Sequence, residues 1–507
     1  MQLLLLLAIM FAPLSQAQPA ATNTWQSLVD AARPGQTIIL SASTMSGDLV
    51  LRVAGTAAAP ITLRGVAGTK LSGKLRIIGG AAYWNVEDLT IVSKEDGARI
   101  EAPAHHITLR RLDLSGGTGY GVRVGTDVTN VTIESSHIHN FDAGSADAHG
   151  VGIMTASNIV VRNCDIHNTS GDAVQVNTPD YPGYKRWASN VLIENNRLHE
   201  TRENAVDIKS SRNVTVRGNQ MWGFRAVSTS TGMALQVQYD SQDVVIERNQ
   251  IWDAEQGIEI SRGKKNGQVY PVSPQRVRIS NNLIRNVRSL SSVTEFESPT
   301  NDPTATLSEL TTFDQPAAMA PADVSEAEVQ ETNAVTEAAA AGLTNATFLP
   351  FVQQENFSSP PTEDVAAKDK GNALIVLTSS DIKLYNNTII GATGSAIYVG
   401  TSSESGPASR VDIRNNVLQG TGADLAFSPV ASSVSGLVVD YNHYVNSAVN
   451  GKTFAAWLSQ GFEKHASTGQ VSLDSGYLPK SGSSLIDSGT NVGLSYKGGA
   501  PDRGWGE

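Results

Sequence analysis

The stretch from Ile193 to Asn219, IENNRLHETRENAVDIKSSRNVTVRGN, decides how the rest of the chain reads. Runs such as VTVRG alternate apolar and polar residues with a period of two, the mark of a strand with one buried face. The stretch also carries an asparagine that returns along the chain in RNCDIH, ENNRLH, RGNQMW, ERNQIW, SNNLIR, YNNTII, RNNVLQ and DYNHYV. Superposing these segments puts Asn196, Asn219, Asn249, Asn282, Asn387, Asn416 and Asn442 in one column, with Ser136 and Cys164 standing in earlier. The steps run from 23 to 33 residues, apart from one of 105.

Short strands at this period, with Gly and Asn at the corners, predict an all-β chain wound as a right-handed parallel β-helix, a solenoid covering roughly residues 35–445. Coils then stack at about 4.8 Å around a core of Val, Ile and Leu. The asparagine column is expected to point inward as a ladder of side-chain amides. Cys164, in that column, is expected to be a small buried residue, not a nucleophile. As the single cysteine, it also rules out an internal disulfide.

The 105-residue step requires an insertion at 289–368, rich in Ala, Thr, Glu and Pro and expected to be dispensable for folding. Thirteen acids and no Lys or Arg fall between Ser289 and Ala367; setting them aside turns the net charge of −11 into +2. An acidic substrate is therefore compatible with the rest of the chain. The apolar run Leu3–Phe11, followed by Ser15 and Ala17, reads as a signal peptide over 1–17, so the protein is expected to be secreted. No other segment is apolar for long enough to span a membrane. The expected organisation is a cap and first coils at 18–288, the insertion, last coils at 369–445 and a capping segment at 446–507. TWQSLVDAA, residues 24–32, is expected to close the first coil as a short helix, and TFAAWLSQGF to do the same near the other end.

One column of strands, GVRVG, GVGIM, AVQVN, AVDIK, ALQVQ and GIEIS, offers an outward face. Its first outward position holds Arg123, Gly152, Gln175, Asp207, Gln236 and Glu259; the second holds Gly125, Met154, Asn177, Lys209, Gln238 and Ser261. The preceding turns add His149, Asp172 and Glu203. Acids stacked at coil spacing repel, so packing alone does not collect them. Three carboxylates with nearby amides suit a hard cation, and Asp172, Glu203 and Asp207 are the expected Ca²⁺ ligands. Asp207 and Lys209 are expected about 7 Å apart along one strand, with room for a cation between them. His149, Lys209 and Arg262 are the candidate acid–base residues. Gln175, Gln236, Gln238 and Glu259, with Lys185 and Arg186 of the YPGYKRW loop, are the candidate substrate contacts.

The segment ARPGQTIILSASTMSGDLVLRVAGTAAAPITLRG near the start resembles the opening of secreted β-helix polysaccharide lyases, particularly the alginate and chondroitin lyase family. SGSSLIDSGT and APDRGWGE resemble the closing segments of secreted β-helix proteins, and ENAVDIKSSRNVTVRGN is similar to the calcium strand of pectate lyases. That resemblance implies calcium held by Glu203 and Asp207, neutralisation of a uronate carboxylate, proton abstraction at C5 by Lys209, and β-elimination. The chain departs from both patterns. The coil after Lys209 offers Gln236 and Gln238 where pectate lyases carry basic residues, and Ala205 stands where the chondroitin lyase family has an acid. The implied partner is an acidic polysaccharide met by a monomer, not a nucleic acid. A β-helix glycoside hydrolase, a C5 epimerase and a non-catalytic glycan-binding surface protein stay open as alternatives.

Overall fold

From Ser135 onward, each coil turns where a residue with positive φ precedes an inward small or polar side chain. Asn195, Asn281, Asn386 and Asn415 have φ of 55°, 54°, 55° and 60°, and each directly precedes a ladder asparagine. Asparagine tolerates this left-handed region better than most residues with a Cβ, which accounts for the doubled asparagines. The computed structural model describes residues 24–178, 186–227, 230–265, 268–288, 371–400, 407–427, 434–449 and 452–506. The expected leader, Lys185 and the insertion lie outside these residues.

Parallel strands from Thr37–Ile39 to Ser467–Thr468 wind into a right-handed β-helix with three faces. A front sheet of 14 strands runs from Leu49–Leu51 to Lys452–Thr453. The other two faces join in one sheet because the long strands Ala82–Val92 and His105–Ser115 pair along both. Inward Val, Ile and Leu from all three faces form one continuous core.

The asparagine column is buried and hydrogen-bonded from coil to coil. Asn196 Nδ2 donates to Asn219 Oδ1 at 3.0 Å, and the same bond joins Asn219 to Asn249 and Asn249 to Asn282. It continues from Asn282 to Asn387, then to Asn416 and Asn442. Each Nδ2 also reaches a backbone carbonyl, as Asn249 reaches Val216 at 2.9 Å. Cys164 enters the ladder through its N–H, which donates to Asn196 Oδ1 at 2.9 Å, and burial pushes its thiol up to about 12. It is a structural residue.

Both ends of the coil stack are covered. The helix Thr24–Asp30 buries Trp25 and Val29 in the core, and the Gln26 amide donates to Val50 O and accepts from Val50 N. That pairing satisfies backbone on the first front strand, which otherwise has an open edge. At the far end the helix Phe454–Leu458 buries Trp457, and Glu463 accepts the last ladder bond from Asn442 at 2.7 Å.

Candidate functional site

The front sheet sets the register of the outward side chains. Arg76, Arg99, Arg123, Gly152, Gln175, Asp207, Gln236 and Glu259 share one row across successive strands. Met154, Asn177, Lys209, Gln238 and Ser261 form the second row. From Arg123 onward the first row is the one read from the sequence. Arg76 and Arg99 extend it on the short strands Leu75–Ile77 and Ala98–Ile100, which the sequence reading does not include. Glu101 meets both, Arg99 at 3.0 Å and Arg76 at 3.5 Å.

The acids turn out to belong to two different structures. Asp96, Tyr120, His149, Asp172 and Asn204 each stand just before the small residue that opens a front strand, so they form a corner column. Here a side chain accepts the backbone N–H of the next coil. Asp96 Oδ1 accepts from Tyr120 N at 2.9 Å, His149 Nδ1 from Asp172 N at 2.8 Å, and Asp172 Oδ1 from Asn204 N at 3.1 Å. The residue stacked on Asp172 is thus Asn204, and Glu203 stands one place earlier. Aligning HGVG, DAVQ and NAVD reveals this column in the sequence.

That column corrects three expectations. Asp172 is fully buried, and both its oxygens are engaged, Oδ1 also by Asn204 Nδ2 at 2.9 Å and Oδ2 by Gln175 Nε2 at 3.2 Å. Gln175, 6 % exposed, therefore braces Asp172 and does not project toward a substrate. His149 is 2 % exposed and packed edge-on against Tyr120 at 4.9 Å, so it does not line the groove edge. Burial lowers its pKa to about 4, which leaves a neutral ring with Nδ1 as acceptor.

The second structure is the pair on the strand Val206–Lys209. Lys209 Nζ lies 2.5 Å from Asp207 Oδ2, so the side chains converge and the expected gap of about 7 Å is closed. The cause is burial: Asp207 is 2 % exposed, and its charge is tolerated through a cationic partner. Asp207 Oδ1 is buried without a hydrogen-bond partner. Its row neighbours do not serve it, since the Gln175 amide turns to Asp172 and Gln236 Nε2 lies 3.4 Å from Glu259 Oε1.

The electrostatics follow from burying more acid than base. Burial pushes Asp207 up to about 6, opposed by Lys209. Burial, and then the charges of Asp172 and Asp147, lift Glu203 well above the usual carboxylate range. Burial alone would lower Lys209, but Asp207 and Asp172 outweigh it and hold the ammonium protonated, with Tyr239 adding to the effect. In this arrangement Lys209 is a cation. Ligand atoms of His149, Asp172 and Glu203 lie within 4.8 Å of one another. Calcium prefers oxygen, which disfavours the histidine, and both Asp172 oxygens are already engaged. The donors that fit a hard cation are the orphaned Asp207 oxygen and Glu203.

The outlying candidates are tied down. Arg262 donates to the backbone carbonyls of Tyr270 and Pro271, fastening its own loop, so it does not face the Asp207–Lys209 pair. Arg186 forms an ion pair with Asp127 at 2.6 Å, and Arg212 lies 4.3 Å over the Trp187 ring. Gln238 follows Lys209 in the second row, partly exposed.

Residues 76–237 match the family model described as the right handed beta helix region. The match covers the arginine row and the Asp207–Lys209 strand. A mannuronic acid specific polysaccharide family 6 lyase from human gut microbiota is similar over 88 % of each chain, at 15 % identity and a TM-score of 0.50. The A-module of a mannuronan C-5 epimerase from Azotobacter vinelandii is similar over 76 % of this chain and 93 % of its own, at 14 % identity and a TM-score of 0.44. PfbA, a surface adhesin of Streptococcus pneumoniae, is similar over 80 % and 85 %, at 10 % identity and a TM-score of 0.44. The first of these likenesses shows the fold. No curated protein matches the chain in sequence.

Proposed function

We propose that this chain is a secreted carbohydrate-active enzyme that cleaves a uronate-containing polysaccharide by β-elimination. The observation that carries the reading is the Asp207–Lys209 pair, with one Asp207 oxygen unsatisfied and Glu203 held above its ordinary pKa beside it. The Arg76–Arg99–Arg123 row supports it, because guanidinium groups one coil apart suit successive carboxylates of an acidic glycan. Among the described residues no helix is long and apolar enough to cross a membrane.

In this reading Asp207 positions Lys209 and sets its protonation. While paired, Lys209 is an ammonium that anchors the uronate carboxylate; released from Asp207, it gives up its proton to bulk water, and the neutral amine takes the C5 proton as the C4–C5 double bond forms and the O4-linked sugar leaves. Calcium held by Asp207 and Glu203 would supply positive charge that acidifies C5 and engages the acid now paired with Lys209. Asp172, His149 and Asn204 keep the corner rigid beneath the pair.

The test is ultraviolet absorbance of unsaturated uronate product on pectate, alginate, glucuronan and chondroitin, with calcium or with EDTA. Lys209→Ala is expected to lower kcat by about 10²–10⁴. Normal cleavage by both Lys209→Ala and Asp207→Ala would overturn the assignment. A hydrolase is the second reading, favoured by the raised carboxyls of Glu203 and Asp207, and it would release reducing ends without the absorbance.

A further inference from the structure

A line of aromatic rings runs down a face away from the front sheet. His139, His167, His199, Trp222 and Trp252 share one register position on successive strands. His167 stacks on His199 at 4.7 Å, His199 on Trp222 at 4.1 Å, and Trp222 on Trp252 at 4.9 Å. Stacking accounts for the tryptophan end of this line. It continues into the other end, where His137 stacks on His139 at 4.0 Å, but there imidazole nitrogens and acids also converge.

His137 precedes His139 by two residues on the strand His137–Phe141, so both rings project outward, and His167 lies beside them on the next coil. The Nε2 atoms of His137 and His167 are 2.7 Å apart, and one nitrogen from each of His137, His139 and His167 lies within 4.8 Å of the others. Imidazole nitrogens that close either share a proton or direct lone pairs at one cation. Zinc–nitrogen bonds of about 2.0–2.1 Å set tetrahedral N···N separations of about 3.4 Å, inside the range seen here.

The surroundings resemble a metal site's outer shell. Asp113 Oδ1 lies 3.4 Å from His137 Nδ1 and 3.0 Å from His139 Nε2, the pairing by which a carboxylate fixes an imidazole's tautomer and orientation. His167 Nδ1 is buried without a partner. His137 and His139 keep 13 % and 17 % of their side-chain surface exposed, which leaves a path for an ion.

We propose that His137, His139 and His167 bind a divalent transition-metal ion of the zinc class, with Asp113 orienting the first two rings and water completing the shell. All three donors are nitrogen, so the site is chemically distinct from the oxygen-rich front face. A bound ion joins two adjacent coils from outside and raises their stability by mass action.

The test is zinc calorimetry on the full, tag-free chain after EDTA treatment, with circular dichroism to confirm that each variant folds. One saturable site is expected. His137→Gln and His167→Gln, which keep a hydrogen-bonding side chain, should each weaken it at least about tenfold, and Asp113→Asn by about 10–100-fold. Copper(II) gives a second readout by quenching Trp222, which stacks on His199, and His167→Gln should relieve the quenching. Absence of saturable zinc uptake, or uptake indifferent to His137→Gln and His167→Gln, would overturn the proposal. So would uptake abolished by Glu203→Gln, which would place zinc beside His149 and Asp172.

Discussion

Asn282 Nδ2 donates to Asn387 Oδ1 at 3.0 Å, so two residues 105 positions apart are consecutive rungs of one ladder. The backbone around them agrees. Arg288 N donates to Ala254 O and Gly371 N to Glu255 O, at 3.0 and 2.8 Å. The chain therefore leaves and rejoins the solenoid against neighbouring carbonyls of the same coil.

Removing residues 289–370 and joining Arg288 directly to Gly371 should leave a folded solenoid, because both ends already sit at one corner. Thermal unfolding is expected to stay cooperative, with a Tm within a few degrees of the full chain. Loss of soluble protein or of cooperativity would show that the segment packs on the coils.

Asn249→Ala should be among the most destabilising single changes to the ladder. It removes the acceptor for the Asn219 N–H and the donor to Val216 O, leaving these two buried groups without that partner, and takes one of three acceptors from Asn219 Nδ2. At about 1–3 kcal/mol for an unsatisfied group, with part relieved by relaxation, the expected loss is roughly 3–5 kcal/mol. Urea unfolding at an unchanged m-value measures it.

Lys209→Met should destabilise the fold independently of any effect on activity. It strands the Asp207 carboxylate, and breaking a buried pair in this way costs about 3–5 kcal/mol. Asp207 is raised to about 6 even with Lys209 opposing the shift, and higher without it, so the cost should shrink as pH falls toward that value and the stranded acid takes a proton. The double variant Asp207→Asn with Lys209→Met should recover most of the loss at neutral pH. A penalty independent of pH would mean the lysine contributes packing, not charge.

Glu203→Gln should stabilise the protein where it impairs the site. A carboxyl raised in the folded state binds its proton more tightly there than in the unfolded chain. Below about pH 4.3 both states are protonated and the group has no effect; as pH rises, the unfolded state ionises first and stability falls. In EDTA the variant should therefore melt above the parent at about pH 8 and with it at about pH 4. Equal melting at both would show that Glu203 is solvated.

Much of this molecule was legible in the residue pattern, because a solenoid repeats one local problem. Coil after coil turns in a left-handed residue and, from Ser136 on, fills an inward small or polar position, and the doubled asparagines at 195–196, 281–282, 386–387 and 415–416 record both demands. The same periodicity places Gln175, Asp207, Gln236 and Glu259 in one row, as they stand in the fold. Alternation along a strand also says which side chains leave the core.

Only the folded chain decided what those outward side chains do. Asp172 and Asp207 look alike in sequence, yet one is a saturated corner brace and the other a buried acid with a free oxygen, because their hydrogen-bond partners come from different coils. Lys209 was expected to stand apart from Asp207, and burial drew the two together. His137 and His139 stand two residues apart on one strand and His167 on the next repeat, and nothing in their spacing reveals that their nitrogens meet. Periodicity determines the direction in which a side chain points; the partner it finds depends on rotamers, burial and the charge of neighbouring coils, which only the tertiary structure brings within bonding distance.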